Sequence, residues 1–295
     1  MDRISTLLVA RYPHGTKLHA FLLPILSSFL ESGCADANYL TELESGDEGQ
    51  FCSRVWEGIL YRRFNDLGWQ VSGNGEGPDF HLETPAGKVL VEATVPSPDG
   101  LPSHWLEEDN GVYSMPYEQM LLRWTSKIAD KQKKHLADTA AGRVSAKTSF
   151  VIAVNSCRLA RFPEENGISQ WPFAVEAVFP IGPLVVPVNV ATGNFGETFQ
   201  SLRFSIRKRE GVEIPTDNFL NPKYAHVSAL LGCAACYADE TLSATFLGLP
   251  PMFLVHNPLA TNPLPLNWLP AAIEYAATQS EPDEFTLSRL TPRAS

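Results

Sequence analysis

The chain has 295 residues, with 33 acidic against 23 basic side chains and a formal net charge of −10. Its content of 44% hydrophobic and 19% charged residues predicts a folded protein with a sizeable core, organised as one large domain or two small ones. The acidic excess argues against a protein that coats nucleic acid through charge alone. No apolar run reaches the ~20 residues of a membrane span, and residues 18–30 predict an amphipathic helix rather than a signal peptide.

The first half of the chain predicts helices that alternate with strands, after an N-terminal helical segment and an acidic linker over 36–50. Because three strands lie between two amphipathic helices and a buried strand follows the second helix, the order predicts an α/β fold with a mixed central sheet flanked by helices. The predicted elements are a helix over 49–67 that ends at Gly68, strands over 69–72, 79–84 and 88–95, a helix over 116–140 and a central strand over 149–155.

The second half is rich in proline and in short apolar runs, which predicts a strand-rich C-terminal extension. Either it continues the sheet or it forms a subdomain, and its last part, 278–295, is predicted as a loose polar tail. The domain prediction is an N-terminal helical segment and linker over 1–48, a core over 49–156 and this extension over 157–295. Its predicted strands are 184–190, 203–207, 227–236 and 251–256.

Five cysteines in a chain of this size favour a reducing cytoplasm over a disulfide scaffold. Cys233 and Cys236 have CxxC spacing, which is compatible with redox chemistry or with half of a zinc site. They lie in an apolar run, however, and no second CxxC or close histidine pair completes a four-ligand set. The pattern therefore favours buried structural thiols.

Two acids stand out on the predicted hairpin. Asp79 begins one strand, and Glu92 lies inside the apolar run of the next, where a carboxylate is costly unless it is paired or bound to a cation. An in-register hairpin brings the two together, and Mg²⁺ or Mn²⁺ would relieve their repulsion. Glu57, beside the apolar stripe of the helix over 49–67, is a third candidate. The alternatives are a turn residue at Asp79 and a helix glutamate at Glu57 paired with Arg54 or Tyr61.

These residues carry a resemblance to a known family. The stretches Arg54-x-x-Glu57, Gly77-Pro78-Asp79-Phe80 and Val91-Glu92-Ala93-Thr94 resemble the PD-(D/E)XK, or restriction-endonuclease-like, nuclease superfamily, over about residues 49–156. The resemblance implies a restriction-endonuclease-like sheet, with Asp79 and Glu92 as metal ligands and catalytic residues. It implies Glu57 as an accessory acid that also faces the metal.

One position departs from the superfamily pattern, because Thr94 stands where the superfamily has lysine. Such a lysine stabilises phosphate charge, so its loss indicates either an inactive domain or a lysine that has migrated. Lys88 shares the strand face of Glu92 but lies ~13 Å away. The next helix offers basic residues on one face, of which Lys131 and then Lys127 are predicted as the migrated catalytic lysine. The alternative is a solvated basic face. The predicted nucleic-acid-binding set is Arg123, Lys127, Lys131 and Lys134.

The basic residues are concentrated rather than spread. Residues 119–161 hold nine basic and two acidic side chains, and a smaller cluster is Arg203, Arg207, Lys208 and Arg209. Such an asymmetric field predicts a localised, salt-sensitive contact with a phosphate backbone. His256, at the end of a predicted strand, is interpreted as a strand-end hydrogen-bonding residue, with catalysis as the alternative.

The sequence thus leads to a first hypothesis of a cytoplasmic, Mg²⁺- or Mn²⁺-dependent endonuclease that cuts DNA, with no membrane partner and with homodimerisation an open option. An RNA-directed nuclease is a weaker hypothesis, and no residue in the sequence separates the two substrates. The resemblance implies a setting in bacterial defence or mobile-element biology. The second hypothesis is a catalytically inactive binding or assembly module of the same fold, in which Thr94 marks the decay of the site.

Overall fold

The computed structural model describes residues 2–73, 77–107, 114–160, 166–208, 211–235, 237, 248–270, 272–281 and 284–290. The helices in these ranges are α1 (Arg3–Arg11), α2 (Thr16–Glu31), α3 (Tyr39–Leu43), α4 (Glu48–Asp66), α5 (Ser103–Leu106), α6 (Tyr117–Ala140) and α7 (Phe173–Glu176). The strands are β1 (Gln70–Ser72), β2 (Phe80–Thr84), β3 (Gly87–Thr94), β4 (Ser149–Asn155), β5 (Ile181–Val185), β6 (Phe199–Leu202), β7 (Ser205–Arg207), β8 (Glu213–Pro215), β9 (Ala229–Cys233), β10 (Phe253–His256), β11 (Ile273–Glu281) and β12 (Glu284–Leu290).

A mixed sheet of eight strands organises the molecule, in the order β1-β2-β3-β4-β9-β10-β11-β12. The first three strands are antiparallel neighbours, and β3, β4 and β9 then run parallel. Two small two-stranded sheets, β5–β6 and β7–β8, lie outside it. The predicted α/β class with a mixed, helix-flanked sheet is confirmed. No helix within the described ranges is long and apolar enough to cross a membrane.

The large sheet has an apolar core on each of its faces. On β4, Val151 and Ala153 belong to the core shared with α1–α4, whereas Phe150, Ile152 and Val154 belong to the core shared with α6 and α7. Because successive side chains on a strand point to opposite faces, this continuous apolar strand must be covered on both sides. The strand predicted over 149–155 is therefore central, as its composition indicates.

Most elements of the core follow the predicted order within one or two residues, including the end of α4 at Gly68, whose φ of +70° suits glycine. The linker predicted over 36–50 is wrong in part, because α3 forms within it and buries Tyr39 and Leu43. A five-residue helix is too short to show a periodic pattern, so its two apolar contacts are set only by the tertiary fold.

The C-terminal half departs most from prediction. The predicted loose tail over 278–295 is wrong for residues 278–281 and 284–290, because β11 and β12 pair there and extend the sheet; residues 282–283 and 291–295 lie outside the described ranges. The strand predicted over 184–190 ends at Val185. Of the predicted CxxC pair, Cys233 is buried in β9, as a structural thiol requires, and Cys236 lies outside the described residues.

Candidate functional site

The β2–β3 hairpin brings the two predicted acids together. Phe80 pairs with Val91, so Asp79, one residue before β2, lies level with Glu92. The Asp79 carboxylate accepts a hydrogen bond of 2.7 Å from the backbone N–H of Ala93. This bond fixes the carboxylate at the end of the hairpin, beside Glu92.

Glu92 is almost fully buried and receives two ammonium groups from α6. Lys131 Nζ and Lys134 Nζ lie 2.7 Å and 2.6 Å from the same oxygen, Oε1 of Glu92. Lys134 also donates to the backbone carbonyl of Gly77, which ties α6 to the segment before Asp79. The buried carboxylate is thus paired, as its 2% exposure requires.

The position of α6 explains how a lysine reaches this site. Met120, Trp124 and Ile128 of α6 are buried against the sheet, and Lys131 continues the same stripe one turn later. Thr94 is buried on the strand face of Glu92 and carries no charge. The ammonium beside Glu92 therefore comes from the helix instead of from the strand.

The remaining predicted basic residues are not at the carboxylates. Lys127 is half-buried and forms no ion pair with any described acid, and Arg123 lies against Gly100. Lys88 forms an exposed ion pair of 3.0 Å with Glu83 at the far end of the hairpin. The structure brings Lys131 and Lys134 to Glu92 and leaves the other members of the predicted basic face away from it.

Glu57 lies on α4 in a separate ion-pair cluster. Both of its oxygens accept hydrogen bonds from Nη1 of Arg54, at 3.1 Å and 2.8 Å, so the predicted alternative of pairing with Arg54 is confirmed. The Arg54 guanidinium also contacts Asp36 at 3.0 Å and Glu42 at 2.5 Å. Sequence reasoning missed these two acids because they lie in the segment predicted as a linker.

The acids are nevertheless coupled electrostatically. Burial, and then the nearby charge of Asp79, raises the pKa of Glu57 to about 8 against the opposing charge of Arg54. Burial, and then the charge of Glu92, raises the pKa of Asp79 to about 6. Burial by itself lowers the pKa of Lys131, but the charges of Glu92 and Asp79 outweigh it and raise that pKa above its usual value. Such shifts are typical of functional sites.

The acids of the site differ in their suitability as ligands for a divalent cation. In the described part of the chain, no group of three or more histidine, cysteine or acidic side chains is arranged to hold a metal. Asp79 and Glu92 supply two hard carboxylates, and Mg²⁺ commonly binds through one or two carboxylates while keeping several waters. Both oxygens of Glu57 accept hydrogen bonds from Arg54, so Asp79 and Glu92 are the better candidate ligands, and the metal contact predicted for Glu57 stays a prediction.

His256 belongs to a different place in the sheet. Its Nε2 lies 3.0 Å from Oε2 of Glu274, and the same oxygen accepts a hydrogen bond from the backbone of Asn267. Strand β10 is three strands from β3, a separation of ~14 Å. The interpretation of His256 as a strand-end hydrogen-bonding residue is therefore confirmed.

Comparison with known proteins finds no matching family model, no matching curated protein and no matching solved structure.

Proposed function

We propose that the chain is a metal-dependent nuclease with a restriction-endonuclease-like core that hydrolyses phosphodiester bonds of DNA. The observation that carries the proposal is the position of Lys131, whose ammonium lies 2.7 Å from the Glu92 carboxylate and beside Asp79. Two acids and one lysine thus meet at the end of a hairpin, although Thr94 replaces the expected strand lysine. A helix-borne lysine restores the same set of charges.

The order of the core elements supports the same proposal. Helix α4 precedes the antiparallel strands β1–β3, and α6 then leads to β4, which pairs in parallel with β3. This is the order that the resemblance to the PD-(D/E)XK superfamily implies. The matching order of elements is secondary support for the proposal. The arrangement of Asp79, Glu92 and Lys131 remains the main support, because function is assigned from the site and not from the fold alone.

The residues of the site have distinct roles in this proposal. Asp79 and Glu92 would hold a divalent ion, which supplies Lewis acidity and a more acidic water when bound. Lys131 stays protonated at neutral pH because its pKa is raised, so its charge can stabilise the negative charge that develops on the phosphate. Lys134 positions the Gly77 segment. Glu57, with a pKa of about 8, is suited to proton exchange near neutral pH.

Charge supports nucleic acid as the substrate class. The segment 119–161, which contains α6 from Gln119 onward, carries nine basic against two acidic side chains in a chain that is otherwise strongly acidic. A positive region beside buried carboxylates concentrates phosphate at the site and excludes indiscriminate binding elsewhere.

The direct test is cleavage of supercoiled plasmid and of single-stranded DNA with millimolar Mg²⁺ or Mn²⁺. We expect Asp79→Ala, Glu92→Ala and Lys131→Met each to abolish cleavage. The matched control is Glu83→Ala, which removes an exposed acid from the same hairpin and should cleave like the unmodified chain. Cleavage that survives both Asp79→Ala and Glu92→Ala contradicts the proposal.

A specific observation favours the second function, an inactive binding or assembly module. The ammonium groups of Lys131 and Lys134 can offset the charges of both Glu92 and Asp79, so these two acids already have cationic partners within the chain. Calorimetric titration with Mn²⁺ separates the two functions. Binding that is lost in Asp79→Ala supports the nuclease, whereas the absence of binding at millimolar Mn²⁺, together with no cleavage, supports the module.

A further inference from the structure

The most unusual surface of the molecule is an apolar hairpin that carries β5 and β6. Its residues, 181–202, hold a single charged side chain, Glu197. Beyond β5 the two strands stay together through a bridge between Val188 and Phe195. We call residues 184–202 the arm. Its exposed apolar side chains are Leu184, Val186, Val188, Val190, Phe195, Phe199 and Leu202, of which Val190 is 97% and Phe195 76% exposed.

The arm has an apolar surface. Phe195 lies directly opposite Val188 towards its tip, and Leu184 lies opposite Gln200 at its base, so each pair shares one side of the ribbon. A two-stranded ribbon is only marginally stable by itself in water. Contiguous exposed apolar patches on proteins mark interaction sites. The arm therefore presents a surface that a partner covers.

A groove lies at the base of the arm. It has a volume of about 520 Å³, and Leu184 and Gln200 of the arm form one of its walls. The groove is also lined by the aromatic rings of Trp171 and Tyr275, whose centroids are 5.6 Å apart. The apolar surface thus continues from the arm into an aromatic groove that is open to another chain segment.

We propose that the occupant of this groove is the arm of a second copy of the chain, so that two chains form a twofold dimer by exchanging arms. An exchanged arm that inserts between the two chains is covered on both sides of the ribbon, and its seven exposed apolar side chains together present on the order of 500 Å², taking full side-chain areas of roughly 100 Å² for valine or leucine and 200 Å² for phenylalanine. Since interfaces are about 60% apolar, this corresponds to roughly 800 Å² per partner, which is the usual size of a stable interface.

The charge of the arm argues against DNA and anionic lipid as its occupants. Affinity for a phosphate backbone comes mainly from lysine and arginine, and the arm has neither. The same lack removes the attraction to anionic lipid. A second copy of the chain carries an arm of the same length, charge and apolar character. Under twofold symmetry each arm lies in the groove of the other chain, so both grooves are filled.

Sedimentation velocity tests the dimer from low to high micromolar concentration. We expect a species of about 65 kDa, twice the chain mass of 32.5 kDa. The double variant Val188→Asp, Phe195→Asp should raise the dissociation constant at least 100-fold, because both side chains leave water in the dimer. Val9→Asp on α1 is the matched control, since Val9 is 46% exposed and far along the chain from the arm. Far-ultraviolet circular dichroism confirms that each variant is folded.

Cross-linking tests the exchange itself. Chains carrying Val190→Cys at the arm tip are mixed with chains carrying Arg289→Cys at the groove, and a bifunctional maleimide is added. A cross-link between the two kinds of chain, absent when Val188→Asp and Phe195→Asp are present, supports the proposal. A monomer throughout the concentration range overturns it, as does a dimer that keeps its affinity in the double variant or gives no such cross-link. The result is independent of nuclease activity.

Discussion

Asp79→Asn is expected to abolish cleavage and at the same time to stabilise the folded chain at alkaline pH. Burial and the charge of Glu92 raise the pKa of Asp79 from 3.8 to about 6, so ionised Asp79 costs folding free energy. Asparagine keeps an oxygen that can accept the hydrogen bond from Ala93 but carries no charge. Carboxylates that are buried for a functional reason lower the free energy of unfolding, and their replacement by a neutral side chain raises it.

The magnitude follows from the shift in pKa. A carboxyl group whose pKa is higher in the folded state binds more protons there, so stability falls as pH rises from about 4 to about 6 and is constant above that range. The full shift corresponds to about 3 kcal/mol at pH 8. The pKa of about 6 already includes the hydrogen bond from Ala93, and asparagine accepts that bond much as the protonated acid does, so the net gain in the free energy of unfolding at pH 8 is about 3 kcal/mol. At pH 3 the gain disappears, since Asp79 is then protonated in both states.

Urea denaturation followed by tryptophan fluorescence measures the effect, at a series of pH values from 3 to 8 in the presence of a chelator. The control is Glu83→Gln, an acid of β2 whose side chain is 51% exposed and whose removal should change stability little at any pH. An Asp79→Asn variant that is less stable than the unmodified chain at pH 8, or equally affected at pH 3 and pH 8, refutes the electrostatic account of the site.

Four further predictions follow from the same geometry. Lys131→Met should reduce the single-turnover rate of DNA cleavage by about 10²-fold or more, because it removes the positive charge beside Glu92. A loss below threefold would contradict the proposed role of Lys131 in stabilising phosphate charge. Lys127→Met should leave the cleavage rate at saturating DNA unchanged. It should reduce the slope of log affinity against log salt concentration by about 1, as measured by fluorescence anisotropy. An unchanged slope would exclude Lys127 from contact with DNA. Arg54→Leu should lower the free energy of unfolding by about 3 kcal/mol in urea denaturation, since Asp36, Glu42 and Glu57 lose their shared cation; Arg62→Leu, which removes an exposed ion pair with Asp66, should change it by less than about 1 kcal/mol, and an equal effect of the two variants would contradict the role of the buried cluster. Leu287→Asp should lower it by about 1–3 kcal/mol in urea denaturation if β12 belongs to the cooperative unit, and no change would show that it does not.

Local patterns in the sequence were sufficient for the first half of the fold. The amphipathic spacing of 49–67 and 116–140, the turn over 85–87 and the apolar run over 149–155 each predict an element that the structure contains. Each of these patterns can be recognised within a single segment, because the periodicity of a helix or a strand depends on residues that are close together in the chain. The pairing of Asp79 with Glu92 was predictable for the same reason, since a short hairpin fixes its own register.

Other features depended on contacts between distant segments. Only the packing of α6 against the sheet decided that Lys131 and Lys134, rather than Lys127, reach Glu92, because four basic residues on one helix face look equivalent in the sequence. The contacts of Arg54 with Asp36 and Glu42 likewise join segments that no local pattern relates.

The contrast is sharpest in the C-terminal half. Residues 278–290 are polar enough to predict a tail, yet β11 and β12 form there because the exposed edge of β10 supplies hydrogen-bond partners for the first of these strands. The sequence by itself determined which residues are chemically able to hold a cation or a phosphate, since that depends on side-chain type and short spacing. Tertiary structure alone decided which of them meet, how deeply Glu92 is buried and how far the pKa of Asp79 is raised, because burial and charge proximity are properties of the assembled chain.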